Sequence, residues 1–153
     1  MSGPERASVP PSRVVEFEAR YGSDEALGVV WSDEEERSLL PNGEPAVICG
    51  FCAAYIVRVE GAGKVVGFHD GMNPTAHAAG YPGGGHDFAL IDDRYTVDPW
   101  VKETGLTSRR AVFDLLEPAD AEEVMWLYGD QAKWESAGSD VVARRTSKPA
   151  LVA

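Results

Sequence analysis

A chain of 153 residues that is 44% hydrophobic is long enough for one domain with a core of its own. Its 14 Lys and Arg stand against 25 Asp and Glu, a net charge of −11, which argues against nucleic acid or anionic lipid as a partner and suits either a soluble protein or one that meets a basic partner. No apolar run approaches the roughly 20 residues of a membrane helix, the opening MSGPERASVPPSR lacks the apolar core of a signal peptide, and two cysteines are too few for a disulfide scaffold. A cytoplasmic location is expected, with signal-independent export the other route.

In chain order, residues 1–11 are rich in Pro, Ser and Gly and read as a disordered tail. Ser12 caps a short helix that carries Val14, Val15 and Phe17 and ends at Tyr21-Gly22. Leu27 to Trp31 is a short apolar run of strand type. Ser32 before Asp33-Glu34-Glu35-Glu36 marks a capped helix start with acids over the positive end of the dipole, and Pro41-Asn42-Gly43 is a turn. The segment PAVICGFCAAYIVRVE, Pro45 to Glu60, reads as one long strand or, in preference, as a turn into a buried helix from about Cys52 to Glu60, stopped by Gly61-Ala62-Gly63. Lys64 to His69 is a strand, Asp70 to Pro74 a turn, and Thr75 to Gly85 a loop. Beyond Trp100, Thr107 or Ser108 caps a helix to about Leu116, and Pro118 opens another to Tyr128 with Val124, Met125 and Leu127 buried. Residues 136–153 form a weakly ordered tail, which leaves one domain over residues 12–135.

The stretch from Gly83 to Trp100, GGGHDFALIDDRYTVDPW, carries the chemistry. Two alternating runs around Asp92-Asp93 read as a β-hairpin. A hairpin brings its ends together, so His86 at one end and Asp98 at the other become neighbours. A carboxylate beside an imidazole fixes its tautomer and stabilises its charged form. The register imposes a condition. If Asp92-Asp93 form a two-residue turn, position 86 pairs with 99 and Asp98 faces the other side of the sheet from His86. A three-residue loop or a bulge restores a shared face.

A nucleophile is found in Cys49-Gly50-Phe51-Cys52-Ala53-Ala54. A thiol at a helix N-terminus is activated by backbone N–H dipoles, a nearby histidine completes the pair, and the Cys52 N–H would face a developing oxyanion. Cys49 reads as structural. The Cys-Gly-x-Cys pattern followed by small residues, the Gly-His strand start and the closing Val-Asp-Pro resemble papain-like and transglutaminase-like cysteine hydrolases, over about Ala46 to Trp100. The resemblance implies an α+β, papain-like fold, with an antiparallel β-sheet packed on a helix that carries the nucleophile at its N-terminus. It implies Cys52 as nucleophile, His86 as general base and acid, and Asp98 as the residue that orients His86. The glutamine that papain-like peptidases place upstream as oxyanion donor has no counterpart, since the first Gln is Gln131. Asn42 and the Trp31 indole are the substitutes by position. Trp100 and Gly85 are groove candidates, Gly85 because a glycine lets a substrate backbone approach.

The expected activity is a hydrolase or acyl transferase on an amide, ester or thioester, covering peptide cleavage, deamidation and transfer to an amine. The expected partner is a protein or peptide substrate, and by analogy the chain could be a toxin or effector module. No cofactor and no metal are expected, and the oligomeric state is open. Three alternatives stand beside this. One is a papain-like scaffold serving as a non-catalytic binding or immunity-type module. Another is a thioredoxin-like redox pair at Cys49-x-x-Cys52, with Pro82 as the cis-proline. The last is a metal site from His69, His77 and His86 with Asp70 or Asp87, whose spacing matches no familiar ligand pattern.

Overall fold

The structure, a computed structural model, describes residues 9–22, 48–69, 71–80, 85–99 and 110–136. Helix α1 spans Val14–Tyr21. Arg13 occupies its N-cap, and the Ser12 hydroxyl accepts from the Val14 N–H at 3.3 Å. Phe17 and Tyr21, four residues apart, share its buried stripe. Helix α2 spans Ile48–Glu60, and Cys49, Cys52, Ala53 and Ile56 form its buried stripe at helical spacing. Gly61 ends it in the left-handed region, φ 68°, its N–H bonding the Val57 carbonyl.

Among the described residues, five strands make one antiparallel sheet in the order β4-β3-β2-β1-β5. They are β1 (Lys64–His69), β2 (Gly85–Ile91), β3 (Tyr95–Val97), β4 (Val112–Asp114) and β5 (Glu135–Ser136). Helix α3, Pro118–Tyr128, precedes β5. Every residue of β2 is buried, because both faces of the sheet are covered. One face packs Val65, Ala89, Ile91, Tyr95, Val97 and Val112 against Phe17, Tyr21, Ala53 and Ile56 of α1 and α2. The other packs Val66, Phe68, Phe88, Leu90 and Phe113 against Val124, Leu127 and Tyr128 of α3. The fold is thus α+β, an antiparallel sheet between helices, as expected.

Several boundaries differ from the sequence reading. Helix α2 begins at Ile48 and not near Cys52, which makes Cys52 its fifth residue. The helix expected to end near Leu116 is strand β4 in its described part: Val112 and Phe113 are buried on opposite faces and pair with Val97 and Thr96. Two-sided burial on the edge of a covered sheet overrides the capping signal upstream. Within α3 the indices are right for Val124 and Leu127, whereas Met125 points outward and is 52% exposed. A 3-10 turn, His77–Gly80, interrupts the loop before β2, and Gly85 is the first residue of that strand. Ser136, assigned to the tail, pairs with Val66. The readings at residues 1–8, 23–47, 70, 81–84, 100–109 and 137–153 lie outside the described residues. Among the described residues, no helix is long and apolar enough to cross a membrane.

Candidate active site

The hairpin loop has three residues, Asp92, Asp93 and Arg94, and Ile91 pairs with Tyr95. Asp92 and Asp93 take φ of 57° and 50°, a conformation their side chains tolerate better than most. Arg94 is held as the third loop residue by a two-pronged ion pair to buried Asp114 at 2.9 Å per bond, and by a 2.8 Å bond to the Pro10 carbonyl. Extending the observed register from Ala89↔Val97 sets position 88 opposite 98. Position 86 is then the diagonal neighbour of 98 on the same face, a separation that long side chains span.

The side chains meet there. His86 Nε2 lies 2.5 Å from Asp98 Oδ2, with both residues buried. Tyr128, the last residue of α3, donates its hydroxyl to the same Oδ2 at 2.7 Å. The Tyr128 ring runs near-parallel to that of His86, 6° apart with centroids at 5.9 Å, and lies against Phe88 at 4.2 Å. Its carbonyl accepts from Asn73 Nδ2 at 2.7 Å and from the Trp134 indole at 3.0 Å. Gly129 follows with φ 72°, and a Cβ there would meet Asn73 Oδ1 at 2.4 Å, so only glycine lets Asn73 reach that carbonyl. The sequence reading named Tyr128 only as the end of its helix. A tyrosine on a buried helix stripe has a hydroxyl to satisfy, which was the available signal, but nothing in the sequence connects it to a residue thirty positions earlier.

With Nε2 engaged by the carboxylate, Nδ1 is the nitrogen left to accept a proton. It is buried and has no hydrogen-bond partner among the described residues. The α2 side of the site approaches through Cys49, whose Sγ accepts from the Asp87 N–H at 3.3 Å. Cys52 lies three residues further along the same buried stripe and is 2% exposed. Burial, and second the negative charge of Asp98, push its thiol up to about 12. No hydrogen bond joins that thiol to the His86 ring: His86 stacks on Phe88 and Tyr128 on the α3 face of the sheet, whereas α2 packs on the other face. As the fifth residue of α2, Cys52 has its N–H within the helix ladder and outside the first four unpaired N–H groups, so the expected oxyanion donation from that N–H is not available in this geometry.

The structure therefore brings His86 and Asp98 together, adds Tyr128, and leaves Cys52 as a neutral buried thiol. Gly85 is buried at the head of β2, opposite His69. Trp31, Asn42 and Trp100 lie outside the described residues, as does Pro82 of the redox reading. Both cysteines are buried thiols. Among the described residues, no three His, Cys, Asp or Glu side chains converge as a metal site. His77 of the proposed metal cluster instead lies flat on Trp126, with centroids 4.1 Å apart. Compared with protein-family profiles, curated proteins and solved structures, the chain matches none.

Proposed function

We propose that this chain is a cysteine hydrolase or acyl transferase of papain-like design acting on an amide, ester or thioester, with a protein or peptide as substrate. One observation carries the reading: a buried histidine with Nε2 on a carboxylate and with Nδ1 unpartnered among the described residues. A neutral thiol suits a general-base mechanism better than a preformed ion pair. As Cys52 Sγ bonds to the carbonyl carbon, its proton passes to His86 Nδ1 and the carbonyl electrons move to oxygen. Asp98 stabilises the imidazolium and holds the tautomer, and Tyr128 fixes the carboxylate. The imidazolium then gives its proton to the leaving amine, alcohol or thiol as the carbon–heteroatom bond breaks. Water, or an acceptor amine, repeats the sequence on the thioester and returns the proton to sulfur. Cys52 is 2% exposed, and its helix packs on the opposite face of the sheet from His86, Asp98 and Tyr128, so this mechanism requires both access for substrate and an approach of the thiol to the imidazole.

A second reading, a non-catalytic module, is favoured by that same burial and by the high thiol pKa. Turnover of ester, thioester and glutamine-amide substrates separates the two. The enzyme reading expects activity that Cys52→Ala and His86→Ala both abolish. Turnover unchanged in Cys52→Ala would refute it.

A further inference from the structure

The outward side of α3 is built differently from the side that holds Tyr128. Ala119, Glu122, Glu123 and Trp126 line a surface cavity of about 290 Å³. Their spacing, positions i, i+3, i+4 and i+7, puts all four on one helix face. Beside them Met125 is 52% and Trp126 45% exposed, a large apolar area to leave in water on a helix whose other side buries Val124 and Leu127. The helix sequence PADAEEVMWLY contains no Lys or Arg. Its Asp120 is taken by Arg110, at 2.8 and 3.0 Å, whereas Glu122 points into solvent at the cavity.

The indole is held in place before any partner arrives. The His77 ring lies on it at 15° with centroids 4.1 Å apart, and His77 Nδ1 is 2.9 Å from the Trp126 carbonyl. A fixed aromatic wall next to two carboxylates is the combination that recognises a cationic side chain, through ring quadrupole and charge together. Exposed Met125 adds an adaptable apolar contact for the aliphatic stem of that side chain. The net charge of −11 would draw a basic partner towards this surface.

We propose that the Glu122–Glu123–Trp126 groove docks a basic segment of a partner protein, with an Arg or Lys side chain seated between the carboxylates and the indole. This is independent of any activity at Cys52.

The test is a titration of the full-length protein with a short Gly-Arg repeat peptide, read by amide and indole NMR shifts at low and high salt. Shifts centred on Trp126 and α3 are expected, with affinity falling as salt rises. Trp126→Ala, Glu122→Gln and Glu123→Gln should each weaken binding roughly three- to tenfold. Asp93→Asn, which removes the same charge from the distant hairpin loop, should leave it unchanged. Equal binding by all four variants, or equal binding of the peptide with citrulline in place of Arg, would overturn the proposal. So would either of two results in the free protein. A Trp126 indole resonance that moves on Arg144→Gln/Arg145→Gln substitution would make the chain's own basic stretch the occupant. A resonance that moves with protein concentration would make it a second copy.

Discussion

His86 Nε2 and Asp98 Oδ2 sit 2.5 Å apart across twelve residues of hairpin, and the parity of one loop decides it. A strand alternates faces with each residue, so one loop residue fewer would turn Asp98 to the α1–α2 side of the sheet. The third loop residue is Arg94, and its guanidinium is fixed to Asp114 on the next strand but one from β2. The contact between the imidazole and the carboxylate thus depends on an ion pair formed elsewhere in the sheet.

Asp98→Asn keeps an oxygen acceptor for Tyr128 and removes the charge that favours imidazolium. The fold should survive, and acylation of Cys52 by an activated ester should slow by roughly 10²- to 10⁴-fold. Stopped-flow kinetics measure the rate. Nitrogen shifts of the His86 ring check that the Nε2–H tautomer, dominant in the parent chain, becomes mixed.

Tyr128→Phe tests the carboxylate's second donor. The ring contacts with Phe88 and the bonds from Asn73 and Trp134 to the backbone carbonyl are kept, while Asp98 loses a 2.7 Å bond. A hydrogen bond to a charged acceptor in a buried site implies a loss of about 1–3 kcal/mol in urea unfolding. Wild-type stability in this variant would mean that the hydroxyl is not satisfied by Asp98 in solution.

The Cys52 thiol sets an alkaline limit. An unfolded thiol ionises near 8.5, on the order of three units below the value of about 12 reached in the fold. Between those values the unfolded chain has lost the proton and the folded chain keeps it, so stability is full at neutral pH and falls as pH rises. The contribution lost by pH 12 is on the order of a few kcal/mol. Cys52→Ala should remove this component, so the difference in unfolding free energy between parent and variant should shrink steadily from about pH 9 upward. A difference independent of pH would show that the thiol is hydrated.

Much of the fold was readable because the signals were local. Lys64–His69 was bounded by glycines and a turn, α1 by Ser12 and Gly22, and α3 by Pro118. The pairing of His86 with Asp98 was readable as a hairpin property, subject to the loop length, and the structure supplies the required three residues. What was not readable depended on contacts distant in the chain. The start of α2 is masked in sequence by β-branched Val47 and Ile48, which read equally as strand. Strand β4 exists because Glu18 Oε2 accepts from the N–H groups of Ala111 and Val112, both at 2.8 Å, and because β3 offers a free edge. Met125 is exposed because the helix turns Val124 and Leu127 inward, a phase that the unbroken apolar run Val124 to Leu127 does not fix.

The most direct measurement is intact-mass and peptide mapping of the full-length protein after brief exposure to p-nitrophenyl acetate near neutral pH. A catalytic Cys52 gives a burst of nitrophenolate and one acetyl group on Cys52, with no comparable label on Cys49, and at least a hundredfold slower acylation in His86→Ala. No acetyl group on Cys52, or acylation at the same rate without the imidazole, would contradict it.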